Sequence, residues 1–75
     1  MSIKIMYFGY FSDIVGKKKD IVNAEKARIR EIVDKRILKL TGGDFVVLVN
    51  GVPSRLDSFV KSGDEVKVLP HMGGG

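Results

Sequence analysis

Apolar residues alternate at the start of the chain: Ile3, Ile5 and Tyr7 share one side of the stretch Ile3–Phe8, which is the period-two pattern of a half-buried strand. Gly9 and Gly16 bracket a loop holding Ser12-Asp13-Ile14-Val15, with room for a single helical turn. Lys18–Val22 reads as a second, more polar strand, so the first two strands form a hairpin with a long connection. From Ala27 the period lengthens. Ile29, Ile32, Val33, Ile37 and Leu40 then fall at i, i+3, i+4, i+8 and i+11, one stripe of an amphipathic helix with Ile32 at its centre. Asn23 as a cap and a start near Arg28 both fit that stripe. Gly42-Gly43 ends it, supplying the left-handed conformation that closes helices.

Phe45-Val46-Val47-Leu48-Val49 is continuously apolar and too short for a helix, so it reads as a buried strand. Asn50-Gly51 signals a tight turn, and Pro53 confines any following strand to an edge. Ser62-Gly63-Asp64 marks another turn before Glu65–Leu69 alternates again, and Pro70 stops it. The order is strand, strand, helix, strand, short strand or loop, strand. It predicts a two-layer α+β domain, a four- to five-stranded mixed sheet with one main helix packed on one face. The expected boundaries are a folded domain over 1–69 and a flexible tail over 70–75.

Composition narrows what such a domain can do. The 75 residues make one domain, which buries only ~60% of the surface its unfolded chain exposes. There is no cysteine and one histidine, His71, which removes disulfides, thiol nucleophiles and Cys/His zinc patterns together. A lone His71 cannot complete a metal site, so neither metal nor cofactor is expected. The first residues run straight into the alternating strand without an apolar leader, and no apolar run is long enough to span a membrane. The expectation is a cytoplasmic protein with no membrane partner. Thirteen Lys and Arg against nine Asp and Glu give a net charge of +4. The basic residues gather at Lys17-Lys18-Lys19 and over Lys26, Arg28, Arg30, Lys35, Arg36 and Lys39, with Glu25, Glu31 and Asp34 among them. No aromatic interleaves with these charges in the sequence, so a solvated helix face and a basic turn are favoured over nucleic-acid binding.

The chemistry points to the end of the sequence. Gly73, Gly74 and Gly75 resist regular structure and pack no core. Six extended residues from Pro70 reach ~20 Å. Residues without side chains can thread a narrow channel and present a terminal carboxylate to another protein's active site. A carboxylate is a poor acyl donor, so ATP must convert it to an acyl-adenylate, which a sulfur donor or an amine then attacks. No catalytic side chain is needed in this chain, and no plausible triad occurs in it.

Several short motifs, in order, carry a family resemblance. They are Ile3-Lys4-Ile5-Met6-Tyr7-Phe8-Gly9 followed by Asp13-Ile14-Val15-Gly16, then Val49-Asn50-Gly51, then Ser62-Gly63-Asp64-Glu65-Val66, and finally Pro70 with Gly74-Gly75. Over essentially its whole length the chain resembles the MoaD-like small subunit of molybdopterin synthase, within the MoaD/ThiS/ubiquitin-like sulfur carriers. The resemblance implies a β-grasp (ubiquitin-like) fold with first and last strands adjacent. It also implies adenylation of Gly75 by a ubiquitin-activating-type enzyme that uses ATP. Conversion to a thiocarboxylate would follow, then sulfur donation beside the large synthase subunit in molybdenum cofactor biosynthesis. The chain itself would be a carrier and not an enzyme. An apolar partner-binding patch carries over onto Phe8, Pro53, Leu69 and Met72. The sequence departs from the family at Ser12-Asp13, where an arginine and an acidic residue are usual, at His71, which replaces a second proline, and in a short segment between the helix and the third strand. The long Gly9–Gly16 loop favours the molybdopterin branch over the thiamine carrier. The alternatives are a protein modifier joined through Gly75 to target lysines, a carrier for thiamine or tRNA thiolation, and, in a different class, a basic nucleic-acid-binding or scaffold domain.

Overall fold

The computed structural model of the chain describes residues 2–71. Strand β1 (Ser2–Tyr7) turns Ile3, Ile5 and Tyr7 into the core, as their alternation requires. After Gly9 the chain makes helix α1 (Tyr10–Val15), which seats Phe11 in the core and closes on Gly16 in the left-handed conformation. Strand β2 (Lys19–Asn23) returns antiparallel to β1, setting Ile3 opposite Val22 and Ile5 opposite Asp20.

The segment that the apolar stripe predicts as one helix is built differently. Lys26–Arg28 forms a short strand, β3, and two separate helices follow, α2 (Ile29–Ile32) and α3 (Lys35–Thr41). Arg28 is the N-terminal boundary of α2, where the Glu31 carboxylate accepts from the Arg28 N–H at 2.7 Å. Val33 and Asp34 are extended, and the Asp34 carboxylate caps α3 by accepting from the Arg36 N–H at 2.8 Å. The Asp34 N–H, freed by the break, donates to the buried Tyr7 hydroxyl at 3.0 Å. Burial of that phenol pushes its pKa up and keeps it neutral.

The interruption resets the helical phase. Ile29, Val33 and Ile37 are buried, Ile32 is only partly so, and Leu40, expected on the stripe, is 62% exposed. Leu38 packs against the core instead.

Strand β4 (Val46–Val49) enters the sheet beside β5 (Val52–Ser54), joined by Asn50 and Gly51 with φ of 51° and 83°. Two successive positive φ values are what a tight hairpin turn demands, and Asn-Gly meets them at little cost. Leu48 faces Pro53 across this pair, and β5 lies at the sheet edge, where proline is tolerated. Strand β6 (Phe59–Lys61) pairs with β3 in a separate antiparallel ribbon that the hydrophobic pattern does not reveal. Strand β7 (Glu65–Leu69) then runs between β1, to which it is parallel, and β4, to which it is antiparallel.

The five-stranded sheet has the order β2-β1-β7-β4-β5. Its inner face contributes Ile3, Ile5, Tyr7, Val47, Val66 and Val68, while the helices contribute Phe11, Ile29 and Ile37, and the break between α2 and α3 contributes Val33, to the same core. A hairpin, a helical crossing and a last strand inserted parallel to the first constitute the β-grasp fold. Among the described residues no helix is long and apolar enough to cross a membrane.

Candidate functional site

The end of β7 positions the chain where it runs on toward Met72 and Gly73–Gly75. Val66 and Val68 point into the core, so Glu65, Lys67 and Leu69 take the outer face. By the same alternation β1 turns Lys4, Met6 and Phe8 outward, and β4 turns Val46 and Leu48 outward. The registers then arrange these residues in rows. Val46 is level with Leu69, and the Phe8 N–H donates to the Val68 oxygen at 3.0 Å, which sets Phe8 beside Leu69 on the other side. One step further from the tail, Met6, Lys67, Leu48 and Pro53 form the next row.

Three of the four residues anticipated for the docking patch, Phe8, Pro53 and Leu69, are thus on one face; Met72 lies outside the described residues, as do Gly73, Gly74 and Gly75. Phe8 and Leu69 are half-buried and Pro53 is exposed. The structure adds Met6, Val46 and Leu48, all half-buried on the same face and none of them part of the core cluster. A signal for two of them was present in the sequence. In a strand with only one face covered, the outward positions need not be apolar, so the unbroken run Phe45–Val49 over-supplies apolar side chains. On this face Lys4, Glu65 and Lys67 are linked by contacts of 3.6 Å and 4.0 Å through Glu65, and Lys19 of β2 stands opposite Met6.

The exit of the chain is built by Gly9, Pro70 and His71. Pro70 is buried, and a Cβ at Gly9 would lie 3.1 Å from the Pro70 Cγ. Gly9 itself holds φ 57° and ψ −144°, outside the range of residues with a side chain. His71 is exposed, and its Nε2 lies 2.8 Å from the Asp44 carboxylate in the turn before β4. Pro70 and His71 are therefore held from two sides, by the β1–α1 connection and by the α3–β4 connection. Among the described residues no cluster of three potential metal ligands occurs.

Solved structures share this architecture. A Pyrococcus furiosus protein assigned as molybdopterin converting factor, subunit 1, superposes with a TM-score of 0.71 at 26% identity, covering 93% of this chain and 97% of its own. The small archaeal modifier protein 1 of Methanosarcina acetivorans gives a TM-score of 0.74 at 23% identity, covering 99% and 96%. A complex of subunits 1 and 2 of the Helicobacter pylori molybdopterin-converting factor contains a chain matching with a TM-score of 0.62 at 22% identity, covering 100% of both. A search of the curated proteins finds no significant match. The model of the ThiS family matches residues 5–75, from within β1 to the last glycine, and the chain therefore belongs to the ThiS family of small β-grasp carrier proteins.

Proposed function

We propose that this protein is a sulfur carrier for molybdopterin synthesis, acting through the carboxylate of Gly75. The observation that carries the reading is the convergence, at the tail end of β7, of an apolar row formed by Phe8, Leu69 and Val46 with the strand that leads directly into Gly73–Gly75. A partner seated on that row has the tail directed into its own active site. The family match running through residue 75 supports the same reading.

In this mechanism the Gly75 carboxylate attacks the α-phosphate of ATP within a ubiquitin-activating-type enzyme, releasing pyrophosphate and leaving an acyl-adenylate. A sulfide-level donor then attacks the acyl carbon and expels AMP, leaving a thiocarboxylate. In the active site of a larger synthase subunit the thiocarboxylate sulfur attacks an electrophilic centre of the acceptor, and water then cleaves the acyl–sulfur bond, leaving the sulfur on the acceptor and regenerating the Gly75 carboxylate. The chain's own residues bind and orient: Phe8, Leu69, Pro53 and Met72 dock the partner, and Gly73 and Gly74 give the narrow cross-section that entry to a channel requires. These steps take place in the cytoplasm, where ATP and the partner enzymes meet. The paired subunits of the Helicobacter pylori factor support a larger partner of this kind.

A second reading keeps the tail and changes the acceptor. The likeness to the Methanosarcina modifier favours attack on the acyl-adenylate, directly or after transfer, by a lysine amine of a target protein. Mass spectrometry of the protein isolated from its host separates the two. A fraction ending at Gly75 with one oxygen replaced by sulfur is the expected result, and loss of molybdoenzyme activity on deleting Gly74 and Gly75 should accompany it. Di-glycine remnants on lysines of other proteins, with no sulfur-bearing form, would establish the modifier instead. Full function after the deletion would end both readings.

A further inference from the structure

The β3–β6 ribbon carries a surface that the carrier chemistry does not use. Ala27 and Val60 face inward, with Val60 fully buried, so Lys26, Arg28, Phe59 and Lys61 stand together on the outside. The fold thereby supplies what the sequence lacks, an aromatic among the basic residues. The Lys26 ammonium lies 4.4 Å from the centre of the Phe59 ring, and the Arg28 guanidinium carbon lies 4.8 Å from it. Phe59 remains 53% exposed. Together with Val60 and Asp64, Lys26, Phe59 and Lys61 line a groove of about 380 Å³.

The charges in this groove are arranged against the interest of the isolated fold. Lys26 and Lys61 are direct cross-strand partners, and like charges so placed destabilise a ribbon. Arg28 and Arg30 both share Asp57, at 4.0 Å and 2.7 Å, but among the described residues neither Lys26 nor Lys61 forms an ion pair. Asp64, which lines the groove, has its carboxylate engaged in two other hydrogen bonds: it accepts from the Lys61 backbone N–H at 2.9 Å and from the Asn50 amide at 3.0 Å. What the pair lacks is an anion placed between two ammonium groups, above an apolar ring.

We propose that this face binds a carboxylate-rich segment of a partner protein, a Glu or Asp side chain bridging Lys26 and Lys61 with the neighbouring part of the segment lying over Phe59. Nucleic acid fits less well. Lys26 and Arg28 already engage the one aromatic ring, which leaves it poorly placed to stack a base. The position matters as much as the chemistry. The Gly63 N–H donates to the Ser2 oxygen and the Lys4 N–H to the Asp64 oxygen, so the ribbon joins the sheet where β1 and β7 begin. Phe8, beside the tail, is six residues further along β1, about 20 Å away. An acidic partner on the ribbon therefore leaves the tail free for a second protein, whatever cargo Gly75 carries.

Fluorescein-labelled hexaglutamate, titrated into the whole protein at low salt, provides the test, with amide NMR shifts locating the contact. The expected result is shifts centred on Lys26, Phe59, Val60 and Lys61, and about a tenfold loss of affinity in Lys61→Glu. The same charge change on α3, Lys39→Glu, should cost less than about threefold. Lys61→Glu also turns the like-charge pair into an opposite one, so its melting temperature should rise by about 1–5 °C. Equal losses in the two variants, shifts spread over all basic residues, or no binding would overturn the proposal. So would displacement of the peptide by hexauridylate at lower concentration, which would make the site a nucleic-acid surface. A variant that melts below the parent protein would remove the like-charge argument.

Discussion

Asp34 does three jobs with one residue. Its carboxylate receives the Arg36 backbone N–H at 2.8 Å and the Arg36 guanidinium at 3.0 Å and 2.8 Å, while its own N–H reaches Tyr7. The side-chain hydrogen bond from Arg36, with the backbone N–H and the positive charge of Arg36 behind it, holds the carboxyl below its usual pKa. A group whose folded pKa is depressed stabilises the fold above its unfolded value, about 3.9, and that contribution disappears as pH falls through the lower folded value. Asp57 and Asp64 are lowered too, through Arg30 and through the Lys61 N–H, so the acid limb of stability is shared. Asp34→Asn isolates one share, because asparagine still caps a helix but does not titrate. Urea unfolding should show Asp34→Asn losing less stability than the parent as pH falls below about 4. Parallel acid limbs would mean that Arg36 does not hold Asp34 in solution. Asp34→Ala, which loses the cap at every pH, should cost about 0.5–2 kcal/mol at neutral pH.

At the scale of elements, the consequence of that cap is the division between α2 and α3. The division decides which apolar side chains are core. On one continuous helix Ile37 and Leu40 belong to the same stripe, and their truncation would be comparably costly. In the observed arrangement Ile37→Ala should cost about 2–5 kcal/mol and Leu40→Ala no more than about 0.5 kcal/mol by denaturant unfolding. Comparable costs would show that the helix is unbroken. Here the limit of the sequence is plain. β1, β4, β7, the Asn50-Gly51 turn and the edge position of Pro53 were legible, because alternation, an unbroken apolar run and turn chemistry each act locally. The break at Asp34 was not, since a capping aspartate between apolar residues does not disturb a count of their spacing. Nor was the β3–β6 ribbon. Each of its strands has three residues and only one inward side chain, Ala27 or Val60, too few for any period, and Lys26–Arg28 merges by eye with the helix that follows.

Over the whole molecule, β1 and β7 run parallel and act as a common axis between two surfaces of different character. At their far end stand Phe8, Leu69 and Val46, apolar side chains on an outer sheet face that takes no part in the core. At their beginning stand the cations of the ribbon. The two must be separable if the lower surface recruits one protein while the upper one presents the tail to another. Leu69→Asp places a charge in the middle of the apolar row. Under the proposed activation of Gly75, it should raise the KM of the adenylating enzyme for this protein by about tenfold or more in ATP–pyrophosphate exchange, without a matching fall in kcat. Lys61→Glu, about 20 Å away along the sheet, should leave that KM within about twofold. The reverse result, a large effect from Lys61 and none from Leu69, would move the docking of the activating enzyme to the ribbon and leave the apolar row without a partner. The pair of measurements thus tests the row independently of the acceptor that follows adenylation, because KM reports recognition even when the adenylate goes on to different acceptors.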